Sequence, residues 1–149
     1  MGGSLVRGQC LCGKVVFELG GKPPRLYQCH CTLCQRQGGS TSNTAAIVGA
    51  ENFRWLAGEE LVSSWVKDTG FRSDFCSVCG SPVPNPLRNT PYYWVPAGLL
   101  EDAGPLEVSM HVFVGSKAHW DVVPVTAAQY ETSPGLLEFI RLLQSQSRE

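Results

Sequence analysis

The 149-residue chain has no excess of charge, no long apolar run and no repeat, and each absence removes a class of function. Twelve Lys and Arg against thirteen Asp and Glu leave a formal net charge of −1, with the positive residues scattered. Without a basic patch to neutralise a phosphate backbone, no nucleic-acid partner is expected. Charged residues interrupt most stretches before they approach the length that crosses a bilayer, so no membrane span is expected either. No signal-peptide pattern opens the sequence, which points to a soluble, cytoplasmic protein in a reducing compartment where thiols stay free. Low-complexity segments and composition shifts are also missing, so residues 1–149 read as one domain. With 43% hydrophobic residues and four Trp, that domain is large enough to bury a core.

What the chain does have is seven cysteines in three tight groups: Cys10-x-Cys12, Cys29-x-Cys31-x-x-Cys34 and Cys76-x-x-Cys79. An odd count in a chain read as cytoplasmic argues against a disulfide framework. A thioredoxin-like redox pair starts a helix beside a βαβ unit, whereas Cys76 to Cys79 follows a strand-like run and precedes the turn-like Gly80-Ser81-Pro82. The spacings of iron–sulfur ligands do not occur. Zinc fits best, because a structural zinc takes four thiolates in two short pairs, while a working zinc keeps three protein ligands and one open position.

Four plus three therefore reads as one closed and one open site, two zinc ions per chain. Pairing the two-cysteine groups assigns Cys10, Cys12, Cys76 and Cys79 to a structural zinc that clamps distant parts of the β region. Gly13 and Gly80 follow the pairs and permit positive φ, which turns backbone N–H groups toward sulfur. The triplet Cys29, Cys31 and Cys34 is left for the open, catalytic site. On an extended segment Cys29 and Cys31 point the same way, and Cys34 returns after a Thr32-Leu33 turn. His30 is a candidate for the fourth position, but on a strand it points to the opposite face and reads instead as an ordinary polar or supporting residue. Three thiolates make a soft zinc that suits a substrate thiol better than hydroxide, lowering the thiol's pKa so that it attacks a carbonyl or leaves from an adduct.

Short β-like runs separated by Gly, Pro and Asn dominate the chain, so the fold is expected to be mainly β. Strands are predicted over Lys14 to Leu19, Arg25 to Cys29, Thr44 to Val48, Phe53 to Leu56, Leu61 to Lys67, Phe71 to Phe75, Tyr92 to Pro96 and His111 to Val114. One helix is predicted over about 134–146, capped by Ser133, begun by Pro134 and striped with Leu136, Leu137, Phe139, Ile140, Leu142 and Leu143. It is expected to pack on the sheet or on a second subunit. Trp55, Trp65, Trp94 and Trp120 read as core residues. Tyr92 and Tyr93 with Trp94 are candidates for a pocket wall, and His111 and His119 read as ordinary strand or loop residues.

The motifs Gly8-Gln9-Cys10-Leu11-Cys12-Gly13, Cys29-His30-Cys31-Thr32-Leu33-Cys34-Gln35-Arg36 and Phe75-Cys76-Ser77-Val78-Cys79-Gly80-Ser81, with His111 to Lys117 and Trp120 later, are similar to the glutathione-dependent formaldehyde-activating (GFA) family. That family also includes the zinc domain of centromere protein V. The resemblance spans roughly Leu5 to Val125 and implies an Mss4-like β-tent zinc fold with the same division of cysteines. It further implies a carbon–sulfur lyase acting on adducts of glutathione, or a similar thiol, with formaldehyde or another small electrophile. Glutathione carries two carboxylates, for which Arg36, Arg54, Lys67, Arg72 and Lys117 are candidate partners. Arg36 is nearest the triplet in sequence and matches a family position. The competing reading is a zinc-stabilised, non-catalytic binding module, which would gain nothing from a three-ligand metal. The partners expected are a small-molecule thiol and an electrophile; a homo-oligomer stays open.

Overall fold

The computed structural model describes residues 5–145. Among them the chain forms strands β1 (Val6–Gln9), β2 (Val16–Leu19), β3 (Leu26–Cys29), β4 (Asn43–Gly49), β5 (Phe53–Ala57) and β6 (Val62–Val66). It continues with β7 (Arg72–Cys76), β8 (Asn85–Pro86), β9 (Tyr92–Pro96), β10 (Leu100–Glu101), β11 (Val108–Val112) and β12 (Ala128–Gln129). Two helices accompany them, α1 (Thr32–Gly38) and α2 (Leu136–Ser145). The protein is mainly β, with short strands where the sequence places β-branched and aromatic residues. No described helix is long and apolar enough to cross a membrane.

The described chain divides into two compact units. The first takes the chain up to Pro23 and the segment Ile47–Pro105. Its four-stranded antiparallel sheet has the order β10-β1-β2-β5, and β6 and β7 form a separate hairpin. Val15, Val16, Phe17 and Leu19 are buried, which makes β2 the centre of this sheet. Gly8 of β1 leaves room for the Phe17 ring, whose nearest atom would lie 2.3 Å from any Cβ at that position. Phe53 stacks on Phe17 with ring centres 5.7 Å apart and on Tyr93 at 4.1 Å. Tyr93 thus packs one face against Phe53, and Trp94 is buried as expected. Trp65 departs from expectation: it lies on β6 at 56% exposure, because its strand pairs with β7 alone in a two-stranded sheet.

The second unit takes Pro24–Ala46 and the chain from Leu106 onward. Here β3 runs parallel to β11 and antiparallel to β4, while β12 adds beside β11. Alternation along β3 sends Tyr27 and Cys29 to one face and Gln28 to the other. Helix α2 covers the Tyr27 face: Phe139 meets Tyr27 edge-on with centres 4.8 Å apart, and Ile140 and Leu143 are buried beside it. The expected stripe is therefore real but narrower, since Leu137 is 72% exposed. Ser133 does not cap the helix; its hydroxyl donates to the Pro134 carbonyl, and α2 begins at Leu136. Position 146, where the predicted helix ends, lies outside the described residues.

Strand β11 begins and ends earlier than His111 to Val114. Phe113 adopts a left-handed φ of 61°, which ends the strand and turns the chain into a short 3-10 segment, Val114–Ser116. The predicted Thr32-Leu33 turn is the first turn of α1, a seven-residue helix too short to show periodicity. Trp120 lies in a turn at 66% exposure and not in the core.

Because Phe139 supplies the main aromatic contact between α2 and β3, Phe139→Ala is expected to lower stability by about 3 kcal/mol. Urea denaturation measures the change, and a loss under roughly 1 kcal/mol would show that the contact carries little weight.

Candidate metal centres

The four cysteines assigned to the closed site come together. Cys10 follows β1 and Cys76 ends β7, and each opens a tight turn closed by a glycine. The N–H of Gly13 donates to the Cys10 carbonyl at 3.1 Å, and that of Gly80 to the Cys76 carbonyl at 2.7 Å. Both glycines have positive φ, 83° and 80°. The N–H groups that reach sulfur belong to other residues of these turns: Val15 donates to Cys10 Sγ at 3.3 Å and Val78 to Cys76 Sγ at 3.4 Å. Cys10 and Cys12 sulfurs lie 3.7 Å apart, Cys12 and Cys76 3.8 Å. All four sulfurs of Cys10, Cys12, Cys76 and Cys79 fall within 4.8 Å of one another.

Those distances test the fit to a metal. Thiolates about 2.3 Å from a tetrahedral zinc have sulfur–sulfur edges of roughly 3.8 Å. The Cys10–Cys12 and Cys12–Cys76 edges match that figure. Protonation is uneven across the group. A hydrogen bond from the Ser81 N–H pushes Cys79 down to about 6. Burial pushes Cys10 up, but the Val15 N–H and the Cys12 thiol outweigh it and leave Cys10 below the ordinary thiol range. The N–H of Lys14 favours the Cys12 thiolate, yet desolvation and the neighbouring sulfurs raise Cys12 to about 11. Four sulfurs this close cannot all be anionic without a cation among them.

The triplet also assembles, within the second unit. Cys29 ends β3, Cys31 is the N-cap of α1, and Cys34 sits in its first turn. The Cys34 N–H donates to Cys31 Sγ at 3.4 Å, which puts a thiolate where helix N–H groups are unpaired. The three sulfurs lie within 4.8 Å of one another, and among the described residues no other His, Cys, Asp or Glu atom joins them. Charge concentrates on Cys31. Hydrogen bonds from the Cys29 and Cys34 thiols, aided by the Cys34 and Leu33 N–H groups, hold Cys31 down at about 2. The same sharing pushes Cys29 up to about 12 and Cys34 higher. A divalent cation would displace those two protons and satisfy all three sulfurs. The donor set is soft and suits zinc.

Behind the triplet lies a feature that sequence reasoning missed. His30 and His111 are both buried, and Nε2 of His30 lies 3.0 Å from Nδ1 of His111 with the rings stacked at 5.2 Å. On the other side of His30, Nδ1 faces Asp121 Oδ2 at 3.5 Å. Strand register explains the meeting, because β11 pairs His111 with Gln28, whose side chain shares the His30 face. A proton on His30 Nδ1 faces the carboxylate and leaves Nε2 to accept from His111. The opposite tautomer would aim a lone pair at Asp121. His119 is exposed. Helix α1 is pinned to the same segment by Gln35, whose Nε2 donates to the carbonyls of His30 at 2.8 Å and Ser116 at 3.0 Å.

Of the candidate cations, two are already paired. Arg54 bonds Glu18 at 2.7 Å, and Arg72 makes a two-pronged contact with Asp74 at 2.8 and 3.2 Å. Lys117 Nζ donates to the Asp121 carbonyl at 3.2 Å. Arg36, in the last turn of α1, is exposed and has no ion pair among the described residues.

Residues 5–116 match the model of the glutathione-dependent formaldehyde-activating enzyme family. The chain belongs to that family. Its matched span holds all seven cysteines and His111 and ends before Asp121. A crystal structure of a Rhodobacter sphaeroides protein is similar to this family member at 27% identity, with a TM-score of 0.53. The match covers 69% of this chain and 99% of that one. No curated protein matches.

Two outcomes follow for the centres. Cys76→Ala is expected to cost about one equivalent of bound zinc and to leave protein that is insoluble or melts far lower; elemental analysis beside a thermal melt checks both. For the imidazoles, burial holds His30 and His111 below their ordinary value, with Lys117 acting in the same direction on His30 and Asp121 opposing. The unfolded chain takes up protons near pH 6.5 and the folded pair resists, so stability is full above about 6.5 and declines as pH falls through that value. His111→Gln should flatten this decline between about pH 7 and 5.5 in urea melts. An unchanged slope would contradict the buried neutral pair.

Proposed function

We propose that this protein is a zinc-dependent carbon–sulfur lyase acting on the adduct of a glutathione-like thiol with formaldehyde or another small electrophile. One observation carries the reading: three cysteine sulfurs gather without a fourth protein ligand among the described residues, apart from a complete set of four. The four-sulfur centre is assigned a structural zinc and the triplet a catalytic one. Zinc at the triplet would accept the substrate sulfur and stabilise it as thiolate.

The chain's own residues then set the reaction. Cys29, Cys31 and Cys34 would hold the metal through their three sulfurs. In the cleavage direction the carbon–sulfur bond breaks with its electron pair going to sulfur. The adduct's hydroxyl loses its proton to water, and its oxygen becomes the carbonyl of formaldehyde. The reverse direction adds the thiolate to the carbonyl and takes a proton from water. No buried imidazole is needed for that transfer, and His30 and His111 face each other instead. Arg36, without an ion pair among the described residues and on the helix that carries Cys34, is assigned to a substrate carboxylate.

Arg36→Ala is expected to raise KM for the glutathione adduct by roughly tenfold, the size of one lost charge-assisted contact, while zinc content stays unchanged. Cys34→Ser should lose turnover while the four-sulfur centre keeps its metal. Cleavage followed by trapping released formaldehyde measures both. Equal KM values for Arg36→Ala and the parent protein would remove Arg36 from the site, and full turnover by Cys34→Ser would remove the triplet from the reaction.

A further inference from the structure

His30 lies between two of the three triplet sulfurs, so it is the imidazole that sequence places nearest a fourth coordination position. An imidazole bound there would complete a four-ligand set and close the centre to substrate. We propose that the chain Asp121–His30–His111 is a lock that keeps His30 off the metal and so reserves the fourth position for a thiol. The proposal rests on the function given above.

Three observations carry it. Both ring nitrogens of His30 are directed elsewhere, Nε2 toward His111 Nδ1 at 3.0 Å and Nδ1 toward Asp121 Oδ2 at 3.5 Å. Nδ1 is buried without a hydrogen-bond partner among the described residues, and the Asp121 carboxylate is the charged group that faces it, at 3.5 Å. The backbone around the ring is fixed as well: the His30 N–H donates to the Val112 carbonyl at 3.0 Å, and its carbonyl accepts from Gln35 at 2.8 Å. Rotating the ring toward the sulfurs means breaking the imidazole pair and leaving a carboxylate that is only 19% exposed without its partner. Asp121 is therefore a positioning residue, acting through His30. It stands beyond the span matched by the family.

The test uses the full-length protein loaded with cadmium-113, a soft cation that takes thiolate ligands, with its histidines labelled by nitrogen-15. Cadmium NMR then reports each centre separately while 2-mercaptoethanol is titrated. The parent protein should show no coupling between cadmium and histidine nitrogen, and its triplet resonance should move on adding thiol. In Asp121→Leu and His111→Leu the triplet resonance should gain coupling to a histidine nitrogen. Thiol affinity should fall roughly tenfold or more, the size typical of losing groups that orient metal ligands. Adding His30→Gln to either variant should restore it. The two single variants cover each other if one fails to fold, and the four-cysteine resonance with a thermal melt reports folding. Folded Asp121→Leu or His111→Leu with parental thiol affinity and no coupling would overturn the lock alone. Coupling already present in the parent protein would do the same. A parent triplet that binds cadmium but never responds to thiol would overturn the lyase reading and the lock together.

Discussion

Mutual repulsion between crowded cysteine sulfurs is the constraint on which the rest of the structure depends. Two unit charges about 4 Å apart repel by roughly 4 kcal/mol at a protein surface, and the chain gathers sulfurs at this spacing twice. Protons and N–H donors relieve part of the load, which is why Cys31 and Cys79 sit far below the ordinary thiol range while Cys12 and Cys29 sit above it. Only a cation relieves it fully. The β1–β2 turn, the turn after β7 and the start of α1 are where those sulfurs gather, in sets that could hold a metal ion.

The two centres differ in how their backbone serves them. Around the four-cysteine set, paired glycine turns let each chain segment curl back within a few residues, so the sulfurs converge from two similar knuckles. The triplet instead uses the junction between a strand and a helix. Cys29 and Cys31 come from an extended segment and Cys34 from the first helical turn, and Gln35 ties the helix back to the strand end. The set built on one short segment gathers three sulfurs, whereas the two knuckles together gather four.

Much of this was legible in the sequence because it is local. Cysteine spacing within each group is set by the turn that carries it, while the meeting of Cys10 and Cys12 with Cys76 and Cys79 was reached by ligand count and not by local pattern. Long-range geometry was not legible. His30 meets His111 across 81 residues, a contact decided by the register of β11 against β3 that no local pattern records. Asp121 arrives from a turn with no strand signal. Trp65 and Trp120 were read as core on residue type alone, yet one lies on a two-stranded hairpin and the other in a turn. Size and hydrophobicity do not report how many neighbouring strands cover a residue. The opening of α1 was hidden because seven residues ending in glycine carry no helical stripe.

The central claim is that one centre is closed and the other open. X-ray absorption at the zinc edge on freshly purified protein, with total zinc by elemental analysis and glutathione added stepwise, tests it most directly. The expected result is two zinc ions per chain with about 3.5 sulfurs per zinc, the mean of four and three, rising toward 4 as thiol enters the open position. One zinc per chain that keeps four sulfurs and ignores thiol, even after metal is restored, would contradict the account.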